Sequence, residues 1–226
     1  MIICVYNNKG GVGKTTLSTA VAFRAIEKDF PLVFIDKDKQ CNSMKWLSND
    51  TWNGEEYYKK GSVEVTTDFN YLDNSKINII DAPPEFSFAR HINKADIWIV
   101  PIKGRFSLDG AVALITELKQ SGRENERLVF VSNMTDMNSE IGRKQVEEAK
   151  SLGIELYKYA IARSLNFDKA EDMCIPVWDV PYAQRSGAVQ ALMLFSDWVL
   201  KGCPEKGTYG ESLKNSSKVG KYVIEE

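Results

Sequence analysis

The chain has 226 residues, 29 Lys and Arg against 31 Asp and Glu, and 43% hydrophobic residues, the balance of a globular protein with one large core. One histidine and four scattered cysteines (Cys4, Cys41, Cys174, Cys203) without a CxxC pair exclude a Cys/His zinc site and argue against a disulfide framework. The net charge of −2 excludes a globally basic nucleic-acid binder, and no apolar run approaches the roughly 18–20 residues of a membrane span.

In chain order, the first residues, MIICVYNNKGG, lack a basic leader and predict a strand rather than a signal peptide. Met1–Tyr6, Leu32–Ile35, Ile77–Ile80, Ile97–Ile102 and Leu128–Ser132 are short, rich in Ile and Val and apolar at nearly every position. Such runs predict strands buried on both faces. Helices are predicted between them at Lys14–Lys28, Asn42–Leu47, Ser107–Gln120 and Ser139–Leu152. A further strand is expected at Glu155–Tyr159, then a helix near Leu165–Asp172 and a long apolar one over Tyr182–Leu200. Repeated strand-then-helix order implies a doubly wound α/β fold, its sheet mostly parallel with helices on both faces. The polar stretch 49–74 reads as an insertion with a short strand at Val63–Thr66. Residues 1–201 form the expected domain, and 202–226, rich in Gly, Ser, Lys and Glu, read as a flexible tail.

After the first strand comes Asn8-Lys9-Gly10-Gly11-Val12-Gly13-Lys14-Thr15-Thr16, running into a helix. Glycines let the backbone turn its N–H groups toward phosphate oxygens, and the helix N-terminus favours negative charge. Lys14 is placed to reach the β- and γ-phosphates and Thr15 to bind Mg²⁺. The pattern GxxxxGK(S/T) asks for Gly where this chain has Asn8. The strand–loop–helix context and Gly13-Lys14-Thr15 are intact, so the segment Lys9–Thr16 predicts a nucleotide site.

Two carboxylates end the second strand, in Ile35-Asp36-Lys37-Asp38-Lys39-Gln40. Alternation at a strand end puts Asp36 and Asp38 on one side, and in a doubly wound sheet that edge faces the ligand. The third core strand delivers a single carboxylate, Asp81, in Ile79-Ile80-Asp81-Ala82-Pro83-Pro84. Carboxylates so placed can hold Mg²⁺ or orient the water that attacks a γ-phosphate.

The run KGGVGKTT resembles the deviant Walker A motif of the ParA/MinD family of P-loop ATPases, IDKDKQCNS its first switch, and IIDAPP its Walker B strand. The resemblance implies ATP and Mg²⁺ as cofactors and an ATP-dependent homodimer, with Lys9 reaching the partner's nucleotide. It makes Lys9, Lys14 and Asp38 catalytic, Asp38 positioning the hydrolytic water, and puts Thr15, Asp36 and Asp81 around the metal. Lys39 and Cys41 stand where the family commonly has Pro and Gly.

Two further segments resemble the family's base-binding side. Asn133-Met134-Thr135-Asp136 ends a strand as the guanine reader of GTPases does, but with Met134 in place of the lysine, and it fits the family's adenine-side segment better. Ile175–Pro181 followed by Ser186-Gly187-Ala188 resembles the family's C-terminal motif, so Asn133 and Pro181 are the expected base contacts. Leu192, Leu194, Phe195, Trp198 and Leu200 read as core.

The resemblance covers roughly residues 1–200. It is greatest to small partition ATPases without an N-terminal helix-turn-helix domain, which implies nonspecific DNA and a ParB-like centromere-binding or adaptor protein as partners. The expected location is cytoplasmic and nucleoid-associated. Candidate DNA contacts are Arg143, Lys144, Arg163, Lys169 and Arg185, although residues 140–226 hold 12 Lys and Arg against 13 Asp and Glu. The alternative is a MinD-like or orphan positioning ATPase acting on a membrane or a protein cargo. Gly and Pro break the tail, so it lacks the amphipathic helix of a stable membrane anchor.

Overall fold

The computed structural model describes residues 1–48, 57–136 and 138–204. Its strands are β1 (Ile2–Val5), β2 (Leu32–Asp36), β3 (Tyr57–Lys60), β4 (Val63–Thr66), β5 (Ile77–Asp81), β6 (Ile97–Ile102) and β7 (Arg127–Ser132). The helices are α1 (Lys14–Glu27), α2 (Asn42–Leu47), α3 (Arg105–Gln120), α4 (Glu140–Ser151), α5 (Leu165–Asp172) and α6 (Gly187–Leu200). The strands form one sheet in the order β3-β4-β2-β5-β1-β6-β7. All neighbours run parallel except the edge pair β3 and β4.

Alternation along each strand explains why these runs are apolar throughout. Ile3, Val5, Leu32, Phe34, Ile79, Ile97 and Ile99 face one layer, with Leu17 of α1, Phe167 of α5 and Leu192 and Phe195 of α6. Their neighbours Cys4, Val33, Ile35, Ile80, Trp98 and Val100 face the other, with Leu108 and Leu114 of α3 and Ala149 of α4. Each fully buried Ile, Leu or Phe contributes about 1.5–3 kcal/mol. Leu194, Trp198 and Leu200 pack against the first layer while staying partly exposed. A bidentate pair from Arg24 to Asp197 (3.0 and 2.8 Å) ties α1 to α6.

The chain passes to opposite sides of β1, through β5 on one flank and β6 on the other, so a crevice opens above the C-terminal end of β1. The loop after β1 and the ends of β2 and β5, which carry Asp36 and Asp81 side by side, meet there.

Two expectations change. The strand expected at Glu155–Tyr159 is reduced to isolated bridges, Phe130 with Leu156 and Asn133 with Ile161. Between them the outer segment advances five residues while β7 advances three, and two extra residues break the ladder. The long helix expected from Tyr182 starts at Gly187, because Tyr182 adopts a left-handed φ of 64° and a short 3₁₀ turn, Ala183–Arg185, intervenes. The strand at Val63–Thr66 forms as expected and recruits Tyr57–Lys60, a partner that the polar sequence concealed. The packed body continues to the buried Cys203, and Trp198 Nε1 donates to the carbonyl of Pro204 (3.1 Å). The rest of the expected tail, 205–226, lies outside the described residues, as do 49–56 of the expected insertion.

Candidate functional site

The loop Asn7–Gly13 leaves β1 and re-enters as α1. Asn7 is fully buried, its amide donating to the carbonyls of Pro101 and Ser107 (3.0 Å each) while its Oδ1 accepts from Lys9 N–H (3.0 Å). This single side chain fastens the loop to the end of β6 and the start of α3. Gly11 and Gly13 have φ of 71° and 87°, which side-chain-bearing residues rarely adopt. A Cβ on Gly13 would also lie 2.2 Å from Asn133 Nδ2.

Asn8, the departure from the strict motif, is accommodated by a glycine a hundred residues away. A Cβ on Gly110 of α3 would meet Asn8 Oδ1 at 2.3 Å and Asn7 Oδ1 at 2.4 Å. Gly110 therefore makes the space that lets two asparagines stand side by side in the loop.

The two lysines of the loop differ. Lys14 is drawn in, only 8% exposed, with Nζ donating to the carbonyl of Lys9 (3.1 Å). Burial pushes its pKa down, opposed by Asp81 and Asp38. Lys9 is exposed at the rim, with Nζ 5.6 Å from the ring centre of Phe106. Thr15 and Thr16 are half-buried in the first turn of α1.

The acidic cluster sits opposite. Both oxygens of Asp36 are engaged in shaping the loop that follows: Oδ1 accepts from Asp38 N–H (2.9 Å), and Oδ2 accepts from the Ser43 hydroxyl and from Met44 N–H (3.2 Å). Asp38 is half-exposed, its Oδ1 accepting from Gln40 N–H (3.0 Å). Asp81 is different. It is 1% exposed, and neither carboxylate oxygen has a hydrogen-bond partner of good geometry. Burial first, then the charge of Asp36, raises its pKa to about 7, against the opposing effects of Thr15, Lys14 and Ser43.

A buried carboxyl without partners, beside a threonine hydroxyl at a helix start, has the chemistry of a Mg²⁺ position. The donor set fits the cation with Thr15 and Asp81 nearest, while Asp36 acts from behind, through the loop it holds. The sequence reading missed Asn7, Ser43 and Gly110. Only Asn7, a polar residue closing an apolar strand, carried a local signal.

The base side is less assembled. Asn133 is 1% exposed, and its amide donates to the carbonyl of Val12 (2.7 Å). It braces the loop from behind with its amide nitrogen, while its Oδ1 has no hydrogen-bond partner among the described residues. Pro181 is exposed beside Tyr182. The five candidate DNA contacts are exposed but divided. Arg143 and Lys144 begin α4 in one helix layer, Lys144 paired with Glu140 (2.7 Å); Lys169 lies on α5 in the other. Arg163 precedes α5, and Arg185 lies over the ring of Tyr182 at 5.3 Å.

A family model described as an AAA domain matches residues 1–77. Among solved structures, the chain is similar to an ATP complex of McdA from Cyanothece (15% identity, 88% of this chain and 95% of that one, TM-score 0.69). It is also similar to the MinC:MinD cell division complex of Aquifex aeolicus (17%, 88% and 95%, 0.69). A plasmid partition protein of Borrelia burgdorferi bound to AMPPNP covers 86% of this chain and 98% of its own at 12% identity (TM-score 0.62). The fold is that of the ParA/MinD P-loop ATPases. An uncharacterized protein of Methanocaldococcus jannaschii is 24% identical over 89% of this chain and 98% of its own length. In this fold the loop Asn7–Gly13, the Asp36–Ser43 segment and Asp81 share one crevice.

Proposed function

We propose that the chain is a Mg²⁺-dependent ATPase of the ParA type. It dimerises on ATP, binds nonspecific DNA as that dimer, and segregates plasmid or chromosomal DNA through a centromere-bound, ParB-like partner. The observation that carries this reading is the contrast within one loop. Lys14 is buried beside the unpartnered Asp81, while Lys9 stands exposed at the rim. The first arrangement suits a chain's own nucleotide, the second a nucleotide held by another copy.

Each residue then has a role. The N–H groups of Gly10–Thr16 cradle the phosphates, and Lys14 leaves the Lys9 carbonyl to neutralise β- and γ-oxygens. Thr15 and Asp81 would hold Mg²⁺, which supplies charge neutralisation at the transferring phosphoryl group. Asp38 orients the attacking water, and Asp36 fixes Asp38 through its backbone N–H. Pro181 and Asn133, whose Oδ1 has no hydrogen-bond partner among the described residues, are the base-side contacts. Hydrolysis of this kind is mostly positioning and electrostatics.

The dimer has further support. Phe86, Phe106 and Ile141 follow β5, β6 and β7 on the side of the sheet that carries the loop, and they are 64%, 72% and 72% exposed. Large apolar groups gathered around a charged crevice suit a face covered by a second copy.

The second reading is a positioning ATPase for a protein cargo or a membrane surface. The division of Arg143, Lys144 and Lys169 between two helix layers favours it. Among the described residues no helix is long and apolar enough to cross a membrane.

Binding of nonspecific duplex DNA with ATP and with ADP, across a salt series, separates the two. The DNA reading predicts binding only with ATP, weakening steeply with salt. No binding in either state would overturn it, and anionic liposomes would then test the alternative.

A further inference from the structure

A trans peptide points its carbonyl and the following N–H in opposite directions. Whatever holds a carbonyl of the phosphate loop on one side therefore aims the next N–H to the other. The Val12 carbonyl is held by Asn133 Nδ2 (2.7 Å), which fixes the Gly13 N–H. The carbonyl before it, that of Gly11, is held by Lys103 Nζ at 3.1 Å, from the turn that follows β6. Gly11 itself is exposed, has φ of 71°, and nothing within 4 Å of where a Cβ would lie. Burial of Val12 anchors one end of this peptide, and no packing neighbour sets the Gly11 end. Lys103 does.

The turn carrying Lys103 is built to hold a position. Lys103 N–H donates to Ser107 Oγ (2.7 Å), and that hydroxyl donates to the Gly104 carbonyl (2.6 Å). Gly104 N–H donates to Gln145 Oε1 (2.6 Å), a side chain that is 2% exposed and also bonded to Ser132. The buried Asn7 amide joins the same turn to the root of the loop through Pro101 and Ser107. The Lys103 stem lies against Met134, with Nζ 4.0 Å from Sδ. An exposed lysine reaching 92 residues back to one loop carbonyl thus starts from a fixed base.

We propose that Lys103 is a positioning residue of the nucleotide site, holding the Gly11–Val12 peptide so that the Val12 N–H faces the bound diphosphate. The inference rests on the nucleotide reading of the loop. It places Lys103 on the loop backbone and not on the γ-phosphate, so its contribution is common to ATP and ADP.

The test is the affinity of the full chain for Mg-ATP and Mg-ADP in Lys103→Met and Lys103→Arg. We expect Lys103→Met to weaken both nucleotides by the same factor, about three- to tenfold, the net value of one solvent-exposed hydrogen bond. Lys103→Arg should restore both to within about twofold, and the loss should persist at high salt, where a diffuse charge effect is screened. Thermal melting without nucleotide checks that the variants fold alike. Loss for ATP alone would place Lys103 on the γ-phosphate and overturn the proposal. A loss that vanishes with salt, or no loss, would also overturn it. Failure of the unsubstituted chain to bind either nucleotide would remove the reading of the site, and this inference with it.

Discussion

The ammonium of Lys14 donates to the backbone carbonyl of Lys9 across 3.1 Å. The two lysines of the loop are thus linked, one through its side chain and the other through its backbone. A phosphate that takes the Lys14 donor releases that carbonyl, so filling a chain's own site alters the mounting of the lysine offered to the second copy. Lys14→Ala should weaken ATP binding by about 10- to 100-fold, the value of a charge-assisted contact. Lys9→Ala should bind ATP within a few-fold of the unsubstituted chain and lose ATP-dependent dimerisation. Calorimetry and sedimentation with ATP check the pair.

Asp81 makes the site pH-sensitive. Its folded pKa of about 7 lies above the ordinary carboxylate value of 3.8, so between the two the folded chain holds a proton that the unfolded chain releases. The stabilising contribution is complete below pH ~4 and is lost as pH rises to about 7. Asp81→Asn removes this titration. The variant should gain roughly 3–6 °C in Tm without nucleotide at pH 8 and less at pH 5, while hydrolysis is lost. A gain that is equal at both pH values would contradict the role of burial.

Gly110 and Asn8 are predicted to couple. Gly110→Ala drives a methyl group into Asn8 and Asn7 and should lower Tm by roughly 2–8 °C, the range for overpacking. Adding Asn8→Gly should recover part of the loss, because Asn7 stays in the way. Additive melting temperatures would show that the glycine is not there for Asn8.

The glycines of the loop should separate as well. Gly10 has nothing within 4 Å of a Cβ position and no left-handed φ, whereas Gly13 has φ of 87° and Asn133 Nδ2 at 2.2 Å. Gly10→Ala should keep nucleotide binding within a few-fold. Gly13→Ala should abolish it, as read by titration with a fluorescent nucleotide.

The parallel core was legible because β1, β2, β5, β6 and β7 are buried on both faces, which forces continuous apolar runs. The phosphate loop and the three carboxylates were legible because their chemistry is local in sequence. What escaped depends on partners distant in the chain. Gly110 reads as an ordinary helix glycine until Asn8 is seen beside it. Asn133 gives no local sign that its amide holds the Val12 carbonyl, 121 residues away. The expected strand at Glu155–Tyr159 has the right composition, but the two-residue mismatch against β7 is not visible in it.

The central claim is an ATP-dependent dimer in which Asp38 serves hydrolysis and not binding. The most direct measurement is the molar mass of Asp38→Ala by light scattering, with Mg-ATP and with Mg-ADP. A dimer with ATP that persists because hydrolysis is slowed, and a monomer with ADP, is the predicted result. A monomer in both, with ATP bound, would contradict the account.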